Sequence, residues 1–270
     1  MLKLTTKEFQ LLAEYIKNNY GITLKDEKKH LVLSRLQNVV KQMDFSSFTE
    51  YYNHLVADTS GCSVSVLIDK ITTNHTYFMR EAKHFYYFRD EVLPYLKETV
   101  KDKDLRIWCA ACSTGEEPYT LAMIIDEFFG EEKRYWNTQI LATDISHSAL
   151  ETAKKGIYSN EQLLPLAKRW KISYFKKIDN DNSLIVEKLK KEVIFRKLNL
   201  TDRTFPFKKK LHVIFCRNVM IYFDNEIKEK LVERLYYSLE EGGFLFISHS
   251  ESLNRAKTKF KYILPGVYRK

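Results

Sequence analysis

Glycine is scarce in this chain, with eight in 270 residues and none between Ile157 and Glu241. A pyrophosphate-binding loop needs several glycines so that backbone N–H groups can crowd around the phosphates. The one loop placed to receive a nucleotide-like ligand carries only Gly115, which argues against a dinucleotide enzyme. No apolar run approaches the ~18 residues that span a bilayer, and no charged-then-apolar leader opens the chain. There is no internal repeat and no low-complexity tract. Cysteine is limited to Cys62, Cys109, Cys112 and Cys216, a usage that argues for reduced thiols. Cys109 and Cys112 form a C-x-x-C, but Cys109 falls inside an expected strand and no second close pair exists to complete a zinc site, so no metal is expected. These absences lead us to expect a soluble, cytoplasmic protein with no membrane insertion.

What is present is ample for a core. Hydrophobic residues make up 44% of the chain and aromatics 14%, which excludes global disorder. The length suits one large domain or two smaller lobes. The net charge of +9 is uneven: residues 154–210 hold sixteen Lys/Arg against six Asp/Glu, while residues 1–72 hold nine against eight. Such a basic run is either a solvated face or a docking surface for an acidic partner.

Residues 1–72 read as an all-α lobe. Thr5-x-x-Glu8 is a capping box, Phe9, Leu12, Ile16 and Tyr20 keep helical spacing, and Gly21 is a stop signal. A second helix carries Val32, Leu36, Val39, Val40 and Met43 on one face, with Lys41 opposite and Lys28 and Arg35 flanking. Ser47-x-x-Glu50 caps a third helix, and Val64, Leu67, Ile68 and Ile71 mark a fourth. Residues 73–100 then form a linker and connecting helix, which Pro94 should kink or split. From residue 101 to 270, strands alternate with helices. The strands are expected at Leu105–Cys109, Gln139–Thr143, Val193–Arg196, Leu211–Cys216 and Gly243–Ile247, the helices near Pro118–Phe129, Ser146–Lys155 and Asn225–Leu239. That alternation implies an α/β fold with a parallel sheet. The basic piece at about 157–192 breaks the pattern and reads as an inserted β-subdomain, and the tail reads as a hairpin around Pro265-Gly266.

The stretch LRIWCAACSTGEEP at 105–118 reads as a buried strand, a tight loop and a helix start, with Pro118 in the first turn. Such a loop lies where an α/β sheet binds its ligand. Glu116 and Glu117 would repel a phosphate but suit an ammonium group. A nucleoside bearing an amino acid, with no phosphate, fits, and S-adenosylmethionine is the candidate. Asp144, at the end of the second strand, is placed to accept the ribose hydroxyls, or else merely to cap the following helix. Asn199 and Leu200 end the third strand, where they could meet the adenine. Arg217, Asn218 and Tyr222 follow the fourth strand over the same crevice.

Together, residues 72–81 (TTNHTYFMRE), 113–119 (STGEEPY), 142–145 (ATDI), 215–223 (FCRNVMIYF) and 249–251 (HSE) closely resemble the CheR-type chemotaxis receptor methyltransferases. The resemblance implies a class I S-adenosylmethionine-dependent methyltransferase domain (Rossmann-like) with a small inserted β-subdomain, preceded by an all-α N-terminal domain. The implied reaction esterifies glutamate side chains on the cytoplasmic helices of methyl-accepting chemotaxis receptors, with S-adenosylhomocysteine as product. Carried over, Asn74, Thr76 and Arg80 close over the cofactor, Glu117 takes the methionine ammonium and Asp144 the ribose. Asn199 and Leu200 flank the adenine, Arg217 and Asn218 complete the pocket, and Arg80 and Tyr222 lie nearest the transferred methyl. Receptor methylation helices are acidic in that family, so Lys28, Arg35 and Lys41 are candidate docking residues. Some members hold a receptor-tail pentapeptide through a glycine-containing loop in the β-subdomain; the glycine-free turn Asp179–Ser183 implies a protein that works without this tether. A monomer is expected.

The acceptor glutamate is already ionised at neutral pH, with a solution pKa near ~4.3, so no general base is expected and His249 is read as structural. Two alternatives remain at this level. The positive charge would suit a nucleic-acid methyltransferase, but the five prolines include no adjacent pair and so no Pro-Pro-aromatic loop for a flipped base; no nucleic-acid partner is expected. A non-catalytic signalling adaptor of the same fold would need no intact Arg80, Glu117, Asp144 and Tyr222.

Overall fold

The structure is a computed structural model that describes residues 2–72 and 74–270. Thr73, part of the linker motif, lies outside the described residues. The chain forms two compact units: residues 2–72 with Tyr222–Ile227, and Asn74–Ile221 with Lys228–Lys270.

The first unit is helical, with α1 Thr6–Tyr20, α2 Lys29–Gln42, α3 Phe48–Ala57 and α4 Cys62–Ile71. The Thr5–Glu8 capping box forms in both directions. Glu8 reaches further, accepting the N–H and hydroxyl of Thr49 at 3.0 and 3.1 Å, which ties the start of α1 to α3. Gly21 ends α1 at φ 71°, the left-handed geometry glycine permits. Phe9, Leu12, Ile16, Val32, Leu36, Val40, Phe48 and Leu67 close the core of this unit. The return segment joins it by a bridge between Ile22 and Phe223 and a hydrogen bond from Thr23 N–H to the Tyr222 carbonyl.

The second unit opens with α5 Ala82–Tyr87, a π-helical turn Phe88–Val92 and α6 Leu93–Thr99. The expected single helix is thus divided at the turn that precedes Pro94, where the wider i→i+5 pattern accommodates a residue without an N–H. There follow β1 Ile107–Ala110, α7 Glu116–Phe129, β2 Ile140–Asp144 and α8 His147–Lys155. Next come β3 Ile157–Ser159, α9 Lys168–Tyr174, β4 Phe175–Lys177, β5 Asn182–Ile185 and α10 Glu187–Lys190. The remainder is β6 Val193–Lys197, β7 Leu211–Cys216, α11 Asn225–Ser238 (its first turn in the other unit), β8 Leu239–Phe246, β9 Lys261–Leu264 and β10 Val267–Arg269.

Seven strands make the main sheet in the order β6-β2-β1-β7-β8-β10-β9. The first five run parallel, and β10 and β9 close it as an antiparallel hairpin. β3, β5 and β4 form a separate antiparallel sheet. β8 begins at Leu239, four residues before the expected Gly243, and takes both glycines into the strand. Gly243 is closely surrounded: a Cβ would sit 3.0 Å from the carbonyls of Glu240 and His212, tighter than ordinary van der Waals contact.

Parallel register positions the site. Ala110 pairs with Thr143 on one side and with Cys216 on the other. The residues that follow, Ala111, Asp144 and Arg217, therefore leave the sheet at one edge. The chain crosses from β1 to β2 on one side while β7 lies on the other, which makes this edge the topological switch point. No helix among the described residues is long and apolar enough to cross a membrane.

Candidate active site at the switch point

The loop between β1 and α7 is held in an unusual backbone path. Ala111, Ser113 and Gly115 all have positive φ, at 64°, 50° and 98°. Left-handed non-glycine residues are costly unless their surroundings fix them, and here they are fixed. Ser113 N–H donates to Asp144 Oδ2 at 2.7 Å, Cys112 N–H to the Thr143 carbonyl at 2.9 Å, and Tyr158 Oη to the Thr114 carbonyl at 2.7 Å. Gly115 is required by packing as well as by φ: a Cβ there would lie 2.8 Å from Tyr158 Oη and 2.9 Å from Ala153 Cβ. Asp144 is buried, and its other oxygen accepts Ser146 N–H at 2.9 Å.

The two acidic residues of the first turn of α7 separate. Glu116 is turned inward, 1% exposed, accepting from Thr114 Oγ1 at 2.7 Å, and burial pushes its carboxyl up. It is thus turned away from the sheet edge, where its sequence position suggested it would meet an ammonium. Glu117 faces the sheet edge, where Oε2 accepts from Arg217 Nη1 at 2.5 Å and Oε1 from the Cys109 thiol at 2.9 Å. Both C-x-x-C thiols are free and buried, and burial pushes them well above the ordinary thiol range. Neutral thiols at such positions are neither nucleophiles nor metal ligands.

Arg217 is 5% exposed, with its guanidinium 5.3 Å from the Phe85 ring centroid. Its Nη2 donates to the Arg80 carbonyl and, at 3.1 Å, to Glu81 Oε2. Burial opposes its charge, but the Glu117 and Glu81 carboxylates outweigh that and raise its pKa. Arg80 itself is half-buried and donates through Nη1 to the His75 carbonyl at 2.7 Å. Asn74 accepts from Ser113 Oγ at 3.2 Å and donates to Ser146 Oγ at 3.4 Å, and Thr76 is half-buried on the same segment. The structure thus brings the expected residues together in two hydrogen-bonded groups, Asn74 with Asp144 through Ser113 and Ser146, and Arg217 with Glu117 and the Arg80 carbonyl.

Other expected residues have visible employment. Asn199 Oδ1 accepts from Thr201 N–H and Oγ1 at 3.0 and 2.7 Å, which shapes the turn after β6. Leu200 is buried, and its carbonyl accepts from Arg234 Nη2 at 2.8 Å. Asn218 sits at φ 58° and donates to Ser248 Oγ at 2.7 Å. Tyr222 is half-buried and belongs to the first unit. In that unit Lys28 and Lys41 are exposed, whereas Arg35 donates to the carbonyls of Lys70, Ile71 and Thr72 at 2.9–3.2 Å and so caps the end of α4. Arg35 thus has a part in the fold that its flanking position on a helical wheel did not disclose.

Two residues escaped sequence reasoning. Glu251 accepts the N–H groups of Ser248, Asn218 and Ile221 at 2.9, 3.3 and 3.2 Å, pinning the loop after β7. Glu81, at φ 56°, accepts from Ser248 Oγ at 2.8 Å and His249 N–H at 3.2 Å besides Arg217. Burial alone would raise its pKa, but the Ser248 hydroxyl, the Arg217 guanidinium and the His249 N–H hold it down to about 2. The signal for both was the short motif around them, which names residue types but not their partners. Glu81, His84 and His249 bring three possible ligand atoms within 4.8 Å, yet the Glu81 oxygen nearest His84 already carries the Arg217 cation.

The donor set suits an amino-acid-bearing nucleoside without phosphate. A buried carboxylate ends β2, a second opens α7, and a phosphate at this edge would face both. S-adenosylmethionine, with a ribose diol and an ammonium, matches these two acceptors.

Comparison with known proteins agrees. Residues 74–266 match the CheR methyltransferase SAM binding domain, and residues 7–72 match the CheR methyltransferase all-alpha domain. A chemotaxis protein methyltransferase of Borreliella burgdorferi is 43% identical over 272 residues, covering 100% of this chain and 96% of that protein. Chemotaxis protein methyltransferase 1 of Pseudomonas aeruginosa is 34% identical, covering 96% of each chain. The chemotaxis protein methyltransferase of Escherichia coli is 32% identical, covering 96% of this chain and 89% of its own.

Proposed function

The chain belongs to the CheR methyltransferase family, and on that premise we propose that it esterifies glutamate side chains on the cytoplasmic helices of methyl-accepting chemotaxis receptors. It is an S-adenosylmethionine-dependent methyltransferase of bacterial chemotaxis. The observation that carries the reading is the pair of carboxylates, Asp144 and Glu117, at one edge of the sheet beside a loop too poor in glycine for phosphates. We assign Asp144 to the ribose and Glu117 to the methionine ammonium. Asn74 and Thr76 close over the cofactor, Asn199 and Leu200 flank the adenine, and Arg217 and Asn218 complete the pocket.

The cofactor, when bound, supplies a methyl group on a positively charged sulfur. A glutamate acceptor arrives ionised, so the residues around it need only align it and exclude water; such alignment is worth as much as ~7–11 kcal/mol. Arg80 and Tyr222 are assigned to positioning. The Arg80 guanidinium is half-engaged by the His75 carbonyl, which tempers its grip on an acceptor carboxylate and so preserves nucleophilicity.

Docking falls to Lys28 and Lys41, exposed on the first unit, which suit an acidic receptor helix in the cytoplasm. The Asp179–Ser183 turn closes without glycine because Asp179 Oδ1 accepts the N–H groups of Asp181 and Asn182, each at 2.7 Å. We read this glycine-free turn as that of a protein working without a receptor-tail tether.

Incubation with methyl-labelled cofactor and receptor fragments tests the reading. Label released as methanol by mild base is expected, because carboxyl esters hydrolyse and N-methyl products do not. Label retained after base, or carried on nucleic acid instead, refutes it.

A further inference from the structure

We propose that Glu81 determines the site's selectivity for a ligand bearing an α-ammonium, by compensating the Arg217 guanidinium so that Glu117 keeps an unspent negative charge. The inference rests on the assignment of Glu117 to the ammonium. Arg217 is buried between two carboxylates, 2.5 Å from Glu117 and 3.1 Å from Glu81. With one cation and two anions in direct contact, the cluster carries a single net negative charge. Without Glu81 it would be neutral, and an arriving ammonium would meet an ion pair with a guanidinium at its centre.

The geometry around Glu81 keeps that charge directed at Arg217. The residue holds a left-handed backbone at the start of α5, two residues after Met79 at φ 61°. Such strain persists only where surrounding bonds enforce it, and here the Ser248 hydroxyl and His249 N–H grip the carboxylate. His84 does not neutralise it. Its Nε2 lies 3.1 Å from the Pro265 carbonyl, which can only accept, so Nε2 carries the proton of the neutral ring. Nδ1, buried without a hydrogen-bond partner 3.4 Å from Glu81 Oε2, then presents a lone pair rather than a proton. Glu81 therefore acts through Arg217 as a specificity-determining residue, without touching the ligand.

Calorimetry on the full chain tests this with two probes: S-adenosylhomocysteine, which has the ammonium, and 5′-methylthioadenosine, which has the same nucleoside and no amino acid. Glu81→Gln keeps the side chain's length and one accepting oxygen for Arg217 and His249 N–H while removing the charge; its amide N–H then faces the Ser248 hydroxyl, which can accept. The expected result is about a tenfold weaker Kd for S-adenosylhomocysteine with methylthioadenosine unchanged. An unchanged Kd for S-adenosylhomocysteine overturns the inference, and so does an equal loss for both probes, which marks a merely structural role. Glu117→Gln separates the two levels. Selective loss there but not in Glu81→Gln sinks this inference alone, while selective loss in neither also sinks the assignment of Glu117.

Discussion

Glu117 and Arg217 stand 100 residues apart in the chain and 2.5 Å apart in the fold. Their meeting follows from the pairing of Ala110 with Cys216, because Arg217 leaves β7 at the edge where the loop after β1 delivers Glu117 in the first turn of α7. Glu81 completes the arrangement from the connecting segment.

Removing the cation at the centre should be costly. Arg217→Ala leaves Glu81 and Glu117 uncompensated beside each other, and breaking a buried pair this way typically loses about 3–5 kcal/mol. Urea unfolding should show the midpoint fall accordingly. Arg217→Lys, with a single ammonium in place of the fork, should fall between the variant and the parent.

Stability should decline on mild acidification. Burial and the Arg217 guanidinium, helped by His249, hold His84 down to about 4, against the Pro265 carbonyl and the Glu81 carboxylate. Burial and the Arg106 guanidinium likewise hold His212 down to about 4. Both rings take up protons more readily unfolded, so their contribution is complete above pH ~6.5 and is lost as pH falls through that value toward ~4. Linkage puts the loss between pH 7.5 and 5 at about 2 kcal/mol for each ring. Unfolding free energies at the two pH values measure it. A His84→Gln, His212→Gln double variant whose pH slope matches the parent's would contradict the assignment.

Gly115→Ala should disturb the loop more than its single methyl suggests. The new Cβ meets Tyr158 Oη and the Ala153 methyl under 3.0 Å, at a φ of 98° that alanine rarely adopts. A loss exceeding about 1 kcal/mol is expected, with weaker S-adenosylhomocysteine binding because Ser113 is displaced from Asp144. Thermal melts and calorimetry would register the two effects together.

In the helical unit, Arg35 and the exposed lysines should behave differently. Arg35→Ala frees the carbonyls at the end of α4 and should cost about 1–2 kcal/mol of stability. Lys28→Glu with Lys41→Glu should leave stability near the parent value and raise the receptor KM, with cofactor affinity unaltered. A receptor KM equal to the parent's would remove these lysines from the docking surface.

Much of the molecule was legible along the chain because it depends on neighbours in sequence. The Thr5–Glu8 box, the Gly21 stop and Asp144 at the end of β2 all formed where the local pattern put them. The start of β8 was less legible, since Leu239–Glu241 continue a helical pattern and strand pairing with β7 captures them instead. The division of the connecting helix was signalled by Pro94, but the π-helical turn before it was not.

By itself, the sequence determined the alternation of strands and helices, the switch-point loop and the acidic character of the site, because residue type and spacing act locally. Only the tertiary structure decided where the two adjacent acids of α7 point. Glu116 and Glu117 are adjacent, but successive helical positions point about 100° apart, and packing sends one inward and the other to Arg217. The pairing of Arg217 with Glu81, and of Arg35 with the end of α4, arose in the same way. Long side chains find partners that strand register and helix packing bring within reach, and neither is written in the spacing of the residues themselves.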